Sequence, residues 1–75
     1  MSPEQMENIL STALPKAKIV VVSEDNSHFA VSVESALFLE KSLLQQHQIV
    51  QKPLQAFIES GEVHALSIKT SISKT

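Results

Sequence analysis

The spacing of hydrophobic positions predicts an amphipathic helix at the start of the chain. Between Pro3 and Pro15, hydrophobic side chains recur at the three- and four-residue intervals of one helix face, at Met6, Ile9, Leu10 and Ala13. Ser2 suits the N-cap position, and Gln5 completes a Ser-x-x-Gln capping box. Pro15 cannot continue a helix, so we expect the helix to end just before it.

Two β-branched stretches follow and predict a hairpin. Residues Ile19–Val22 form a short hydrophobic run that is typical of a strand. The stretch HFAVSVE then alternates strictly, which gives one hydrophobic face formed by Phe29, Val31 and Val33. Asp25 and Asn26 between the two runs are turn residues, so the runs should pair as antiparallel strands.

The second half of the chain predicts two helical segments and a last strand. Residues 35–41 show no clear period and indicate a helical turn or a loop. Ser42 is a suitable N-cap for the helical pattern that follows, Pro53 divides that pattern in two, and Gly61 ends it. The stretch GEVHALSIKT is then a turn and a strand, whose buried face carries Leu66 and Ile68.

The resulting order, α-β-β-α-α-β, defines the fold class. A strand that follows a helical crossover pairs in parallel with the strand before the crossover, and the helices then lie together on one face of the sheet. We therefore predict a single α+β domain over residues 1–75, with a two-layer architecture, a three-stranded mixed sheet and a frayed tail at about residues 71–75. The other face of the sheet stays open, as in a module that binds a partner.

Composition narrows the classes of function. The 75 residues include no cysteine and carry a net charge of −2 without a run of Lys or Arg, which weakens the case for a nucleic-acid binder. The chain has no G-x-S-x-G motif, no glycine-rich phosphate loop and no H-x-x-x-H pair, so we expect a protein that is not an enzyme. A polar, acidic start and the absence of a long hydrophobic run indicate a cytoplasmic protein without a membrane span.

Two histidines stand at the starts of predicted strands. His28 begins the second strand and His64 the third, and parallel neighbours would place both at the same end of the sheet. Strand alternation puts His64 on the same face as Leu66 and His28 on the face opposite Phe29. For the two rings to meet, the turn before His28 would have to re-aim the His28 ring. Two imidazoles cannot complete a four-ligand metal site, and without cysteine the other ligands must come from another molecule. An ordinary hydrogen-bonding role stays open for both residues, whereas His47 is expected to be a solvated or packing residue of a helix.

Three stretches together resemble the BolA-like protein family. They are DNSHFAVSV, KSLLQQHQIV and GEVHALSIKT, and the order of elements agrees with that family over nearly the whole chain. The resemblance implies a fold similar to class II KH domains. The sequence departs from the family at Phe38-Leu39-Glu40-Lys41, where F-E-G-K is usual, so that a glycine is missing from the loop before the second helix.

The resemblance also implies a partner and a cofactor. BolA-like proteins pair with monothiol glutaredoxins, and the heterodimer holds a bridging 2Fe–2S cluster. The glutaredoxin cysteine and a bound glutathione supply thiolates, and the BolA-like partner supplies a histidine that corresponds to His64. His28 is the nearest candidate for a second ligand. The chain would then be a non-enzymatic adaptor in iron–sulfur trafficking or iron and redox regulation, with no cluster on the isolated chain.

The resemblance allows an alternative function as well. Some family members are DNA-binding transcriptional regulators of stress response and cell morphology, acting through the KH-like surface. Lys41, Lys52 and Lys69 are the positive charges available for such a role, and they are scattered along the chain. Self-association as a weak homodimer also stays open.

Overall fold

The first helix begins and ends where its sequence predicts. A computed structural model describes residues 1–73, and α1 spans Pro3–Ala13 in it. The backbone N–H of Gln5 donates to Ser2 Oγ at 3.2 Å, and the backbone N–H of Ser2 donates to Gln5 Oε1 at 2.8 Å. Met6 and Leu10 on the hydrophobic face are fully buried. The capping box and the hydrophobic stripe are therefore both confirmed.

The sheet has the predicted mixed topology. Strand β1 spans Lys18–Val22, β2 spans His28–Glu34 and β3 spans Ala65–Ser71. Their order is β1-β2-β3, with β1 antiparallel and β3 parallel to the central strand β2. The hairpin and the parallel pair are both confirmed.

One face of this sheet is buried under the helices. The alternation of β2 buries Phe29, Val31 and Val33, which join Met6 and Leu10 of α1 in one hydrophobic core. The opposite face carries Val20 and Val22 with 51% and 57% of their surface exposed. The prediction of a two-layer α+β domain with one open sheet face is confirmed.

Pro53 divides the second helical region as predicted. Helix α2 spans Leu43–Gln51, a 3-10 turn covers Lys52–Leu54, and α3 spans Gln55–Ser60. Proline lacks an N–H, so the α-helical ladder cannot pass through it unbroken. Gly61 ends α3 with φ +88°, a left-handed conformation that glycine adopts without steric cost.

The segment before α2 combines a short helical turn with a strained residue. Residues Ala36–Phe38 form a 3-10 turn in which Phe38 is completely buried. Of the two predicted alternatives, a helical turn or a loop, this segment therefore adopts the helical turn. Glu40 then adopts φ +66°, which few side chains tolerate. Ser42 caps α2 and forms a second capping box with Gln45.

Two boundaries of β3 differ from the sequence prediction. The strand begins at Ala65, so His64 lies just before it rather than within it. It also continues through Ser71, whose carbonyl accepts a hydrogen bond from the backbone N–H of Ser35 at 3.1 Å. Pairing with β2 extends the strand to Ser71. The prediction that the frayed tail begins at about residue 71 is therefore wrong for Ser71. Lys74 and Thr75 lie outside the described residues.

A buried polar contact joins α2 to β3. The side-chain amide of Gln46 donates to the Lys41 carbonyl at 2.9 Å, and its Oε1 accepts from the Thr70 hydroxyl at 2.5 Å. Gln46 is itself buried, so both ends of its amide are satisfied inside the protein. Within residues 1–73, no helix has the length and hydrophobicity needed to cross a membrane.

Candidate metal site at one end of the sheet

The parallel pairing of β2 and β3 brings the two predicted histidines together. His28 lies opposite Ala65 in the parallel register, so His64 and His28 are offset by only one residue. The two imidazole rings stack with centroids 6.1 Å apart and planes inclined by 20°. Both residues are exposed. The prediction that the rings meet at one end of the sheet is confirmed.

It is His64, and not His28, that departs from strand alternation. His28 keeps the exposed side of β2, as the alternating burial of that strand requires. His64 precedes β3, and its backbone N–H donates to the Ser27 carbonyl at 2.8 Å, where the Ala65 N–H also donates at 3.3 Å. The alternation that buries Leu66 therefore does not apply to His64, and the expected re-aiming of His28 by its turn is wrong.

The loop before β2 is organised around the carboxylate of Asp25. Its Oδ1 accepts hydrogen bonds from the backbone N–H groups of His28 at 2.9 Å and of Ser27 at 3.0 Å. These bonds favour the ionised form and hold the pKa of Asp25 well below its usual range, with the His28 backbone contributing most. Asn26 takes up the left-handed turn with φ +59°. The loop is thus held by several hydrogen bonds although it is exposed.

The same carboxylate contacts the His28 ring. Asp25 Oδ2 lies 2.7 Å from His28 Nδ1, and Ser27 Oγ lies 3.2 Å from the same nitrogen. The His28 and Asp25 side chains are 63% and 52% exposed, so the pair remains accessible from solvent. Within residues 1–73, the hydrogen bonds of the His28 ring are made by Nδ1, which leaves Nε2 as the nitrogen available to a metal.

Sequence reasoning missed Asp25 as part of this site. The sequence predicts Asp25 only as a turn residue between the first two strands. The available signal was its position three residues before His28 in a tight turn. An aspartate in a turn hydrogen-bonds to backbone N–H groups shortly after it, and its second oxygen is then free to reach a nearby ring.

The donor set fits a metal centre that is shared with another molecule. Imidazole nitrogen is a good ligand for iron, and two histidines replace two cysteines on one iron of Rieske-type 2Fe–2S clusters. Within residues 1–73, no group of three or more His, Cys, Asp or Glu side chains is arranged to hold a metal ion. His28 and His64 alone could fill at most part of a four-ligand coordination shell, and any further ligands would have to come from another molecule.

An open groove begins at His28. It has a volume of about 590 Å³ and lies on the uncovered side of the sheet, with Asp25 and His28 at its polar end. Val22, Ala30 and Ala65 contribute hydrophobic surface to the groove, next to further polar side chains. A partner that reached the histidines would also have hydrophobic surface to cover.

The three lysines predicted for nucleic-acid binding do not form one patch. Lys41 and Lys52 line a common surface depression together with Gln45 and Gln48 of α2. Lys69 lies on β3 in a second depression, at the opposite end of the open sheet face from the histidines. His47 is half-buried on α2.

The chain is a small α+β domain with a three-stranded mixed sheet, one open sheet face and two histidines paired at one end of that sheet. The family model described as BolA-like protein matches residues 4–74. The chain belongs to the BolA-like protein family.

Relatives and solved structures agree with this assignment. The acid stress protein IbaG of Escherichia coli K12 is 36% identical over 69 residues, which cover 92% of this chain and 81% of the relative. The structure of a BolA homologue from Coxiella burnetii superimposes with a TM-score of 0.81 at 25% identity, covering 96% of this chain and 91% of that one. The BolA domain of SufE1 from Arabidopsis thaliana gives a TM-score of 0.81 at 27% identity, covering 93% and 89%.

Proposed function

We propose that this protein is a non-enzymatic cytoplasmic adaptor that binds a monothiol glutaredoxin and supplies histidine ligands to a 2Fe–2S cluster shared by the two proteins. The observation that carries the proposal is the exposed pair of stacked imidazoles, His28 and His64, 6.1 Å apart. The physiological setting would be iron–sulfur trafficking or iron and redox regulation. The name of the Escherichia coli relative, an acid stress protein, supports a place in stress response.

Each histidine is held by backbone that a partner need not rearrange. His28 begins a central strand, and the main chain of His64 is hydrogen-bonded to the loop before that strand. A ligand pair fixed in advance loses little conformational entropy when a metal binds. When bound, the cluster would supply the redox-active iron, while this chain supplies imidazole nitrogen and excludes water from one side. The remaining ligands are the glutaredoxin cysteine and the glutathione thiolate.

The groove beside the pair supports a protein partner. It continues from His28 over a hydrophobic part of the open sheet face, including Val22 and Ala30. Hydrophobic surface next to polar anchor groups is common in protein interfaces. We therefore place the contact with glutaredoxin on this face, with the cluster at its edge.

A titration of cluster-bearing glutaredoxin tests the proposal. The wild-type chain, added anaerobically to a glutathione-loaded 2Fe–2S glutaredoxin, should change the visible circular dichroism of the cluster because a ligand changes. His64→Ala should lose this change, and His47→Ala should retain it, because His47 lies on α2 away from the pair. An unchanged spectrum with the wild-type chain, or an equal change with His64→Ala, contradicts the proposal.

A DNA-binding regulator is the second candidate, because Lys41 and Lys52 share one surface depression. Two phosphate contacts would give a slope of about −2 in log affinity against log salt. Fluorescence anisotropy of a labelled duplex, measured over a salt series, checks this value. Lys52→Glu should abolish binding, whereas Lys69→Glu, on another surface, should affect it less. Absence of binding near physiological salt, or a flat salt response, removes this candidate.

A further inference from the structure

The contact between Asp25 and His28 determines which ring nitrogen carries the proton. An ionised carboxylate can only accept hydrogen bonds, so the 2.7 Å contact between Asp25 Oδ2 and His28 Nδ1 requires a proton on Nδ1. A neutral imidazole has one proton, and its lone pair then lies on Nε2. The nitrogen without the proton is the one that binds metals.

The Ser27 hydroxyl could favour the opposite tautomer of His28, but it forms the weaker of the two hydrogen bonds to Nδ1. Its hydroxyl lies 3.2 Å from His28 Nδ1 and could donate to that nitrogen if the proton were on Nε2. A hydrogen bond to a charged carboxylate is shorter and about twice as strong as one between neutral groups. The 2.7 Å contact therefore decides the tautomer, and the Ser27 hydroxyl is left to accept from Nδ1 or from solvent.

The carboxylate is itself held in place. Its Oδ1 accepts the backbone N–H groups of Ser27 and His28, so its second oxygen is directed by the same turn that positions the ring. The carbonyl of Ser27 in that turn accepts the backbone N–H of His64. One carboxylate is thus connected to both histidines, to His28 directly and to His64 through the main chain.

We propose that Asp25 is the positioning residue of the metal site, keeping His28 in the Nδ1–H tautomer so that Nε2 is free to bind iron. The metal-binding part of this inference rests on the proposed function, whereas the tautomer is a property of the isolated chain. Asp25 does not bind the metal. It acts through His28, in the same way as carboxylates that accept a hydrogen bond from the other ring nitrogen of a metal-bound histidine.

Asp25→Asn separates this role from simple loop stabilisation. The asparagine carbonyl can still accept the two backbone N–H groups, so the turn is kept. Its amide group, however, donates a hydrogen bond where the carboxylate accepted one. It would therefore favour a lone pair on Nδ1 and a proton on Nε2. Asp25→Ala removes both interactions and should leave the ring free to adopt a mixture.

Long-range proton–nitrogen correlation NMR of the isolated, 15N-labelled chain measures the tautomer directly. At pH 8, wild-type His28 should show a protonated Nδ1 and an unprotonated Nε2. Asp25→Asn should exchange the two signals, and His47 should be unchanged as an internal control. An Nε2–H tautomer in the wild-type chain, or a His28 pattern unaffected by Asp25→Asn, overturns the proposal.

The cluster titration links the tautomer to metal binding. Asp25→Asn should weaken formation of the shared-cluster complex by about 10- to 100-fold, the usual effect of losing such an outer partner, and should approach the loss seen with His28→Ala. If His28→Ala weakens the complex and Asp25→Asn does not, the positioning role is wrong while the proposed function stands. If His28→Ala has no effect, His28 is not a ligand and the metal-binding part is overturned, although the tautomer result would remain.

Discussion

At the residue scale, the protein combines a well-ordered turn before β2 with a strained backbone at Glu40. The Asp25 carboxylate accepts a backbone hydrogen bond from the turn before β2 and also contacts the ring of His28. One side chain therefore stabilises the turn and positions a residue of the candidate site. Glu40, by contrast, adopts a left-handed backbone with φ +66°. This residue lies where the resemblance to BolA-like proteins led us to expect glycine, and the structure gives the physical reason for that expectation.

Replacing Glu40 by glycine should stabilise the protein. A left-handed conformation costs a residue with a side chain roughly 1–2 kcal/mol, and the larger freedom of glycine in the unfolded chain offsets about 0.4–1 kcal/mol of the gain. We expect Glu40→Gly to raise the free energy of unfolding by about 0.5–1 kcal/mol in urea denaturation. Glu7→Gly in the exposed face of α1 is the matched control and should lower it by about 1 kcal/mol. Destabilisation by Glu40→Gly would contradict the strain at this position.

Asp25 should make stability depend on pH in the acid range. Its pKa is lowered in the folded protein from an ordinary value of 3.8, chiefly by the backbone N–H of His28. The sign follows from linkage: the stabilisation is fully present above the unfolded-state pKa and is lost as the pH falls through it towards the depressed folded value. The difference in stability between wild type and Asp25→Asn should therefore shrink below about pH 4. A difference that stays constant from pH 7 to pH 3 would contradict this.

At the element scale, local patterns predicted most of the fold, and long-range geometry supplied the rest. The cap at Ser2, the alternation in β2 and the break at Pro53 each act within a few residues, so the sequence alone could reveal them. The start of β3 could not be read in this way because it depends on pairing with β2, far away in sequence. The contact of Asp25 with the His28 ring depends on the shape of a turn, which residue types alone do not define.

The buried amide of Gln46 should contribute measurably to holding α2 against β3. Gln46→Ala leaves the Thr70 hydroxyl and the Lys41 carbonyl without their partner in a part-buried position. Loss of such a partner costs about 1–3 kcal/mol. Gln48→Ala, at an exposed site on the same helix, should change stability by less than about 0.5 kcal/mol. Equal effects of the two substitutions in chemical denaturation would show that the buried contact contributes nothing.

At the scale of the whole molecule, the two faces of the sheet have different roles. The inner face packs against the core beneath the helices, and the outer face carries the groove that begins at His28. The Lys41 and Lys52 depression involves α2 and not this groove. A glutaredoxin on the open face and a nucleic acid on α2 would therefore occupy different parts of the protein, so variants can distinguish the two candidate functions.

Val22 and Val20 offer a matched test of the docking face. Both valines are on β1 with more than half of their surface exposed. Val22 lines the groove at His28, whereas Val20 lines the depression at the other end of the sheet. Val22→Lys should weaken binding to glutaredoxin at least about tenfold in calorimetry, equal to about 1.4 kcal/mol. Val20→Lys should weaken it less. The reverse order would place the partner elsewhere.

Pulsed electron paramagnetic resonance detects whether this chain donates a histidine nitrogen to the shared cluster. The reduced 2Fe–2S complex is prepared with 15N-histidine in this chain and unlabelled glutaredoxin. We predict that the strong nitrogen hyperfine coupling changes from 14N to 15N with this label, persists in His47→Ala, is reduced in His64→Ala and is lost when His28 and His64 are both replaced by Ala. A coupling that stays 14N, or that survives in His64→Ala at full strength, would contradict the account.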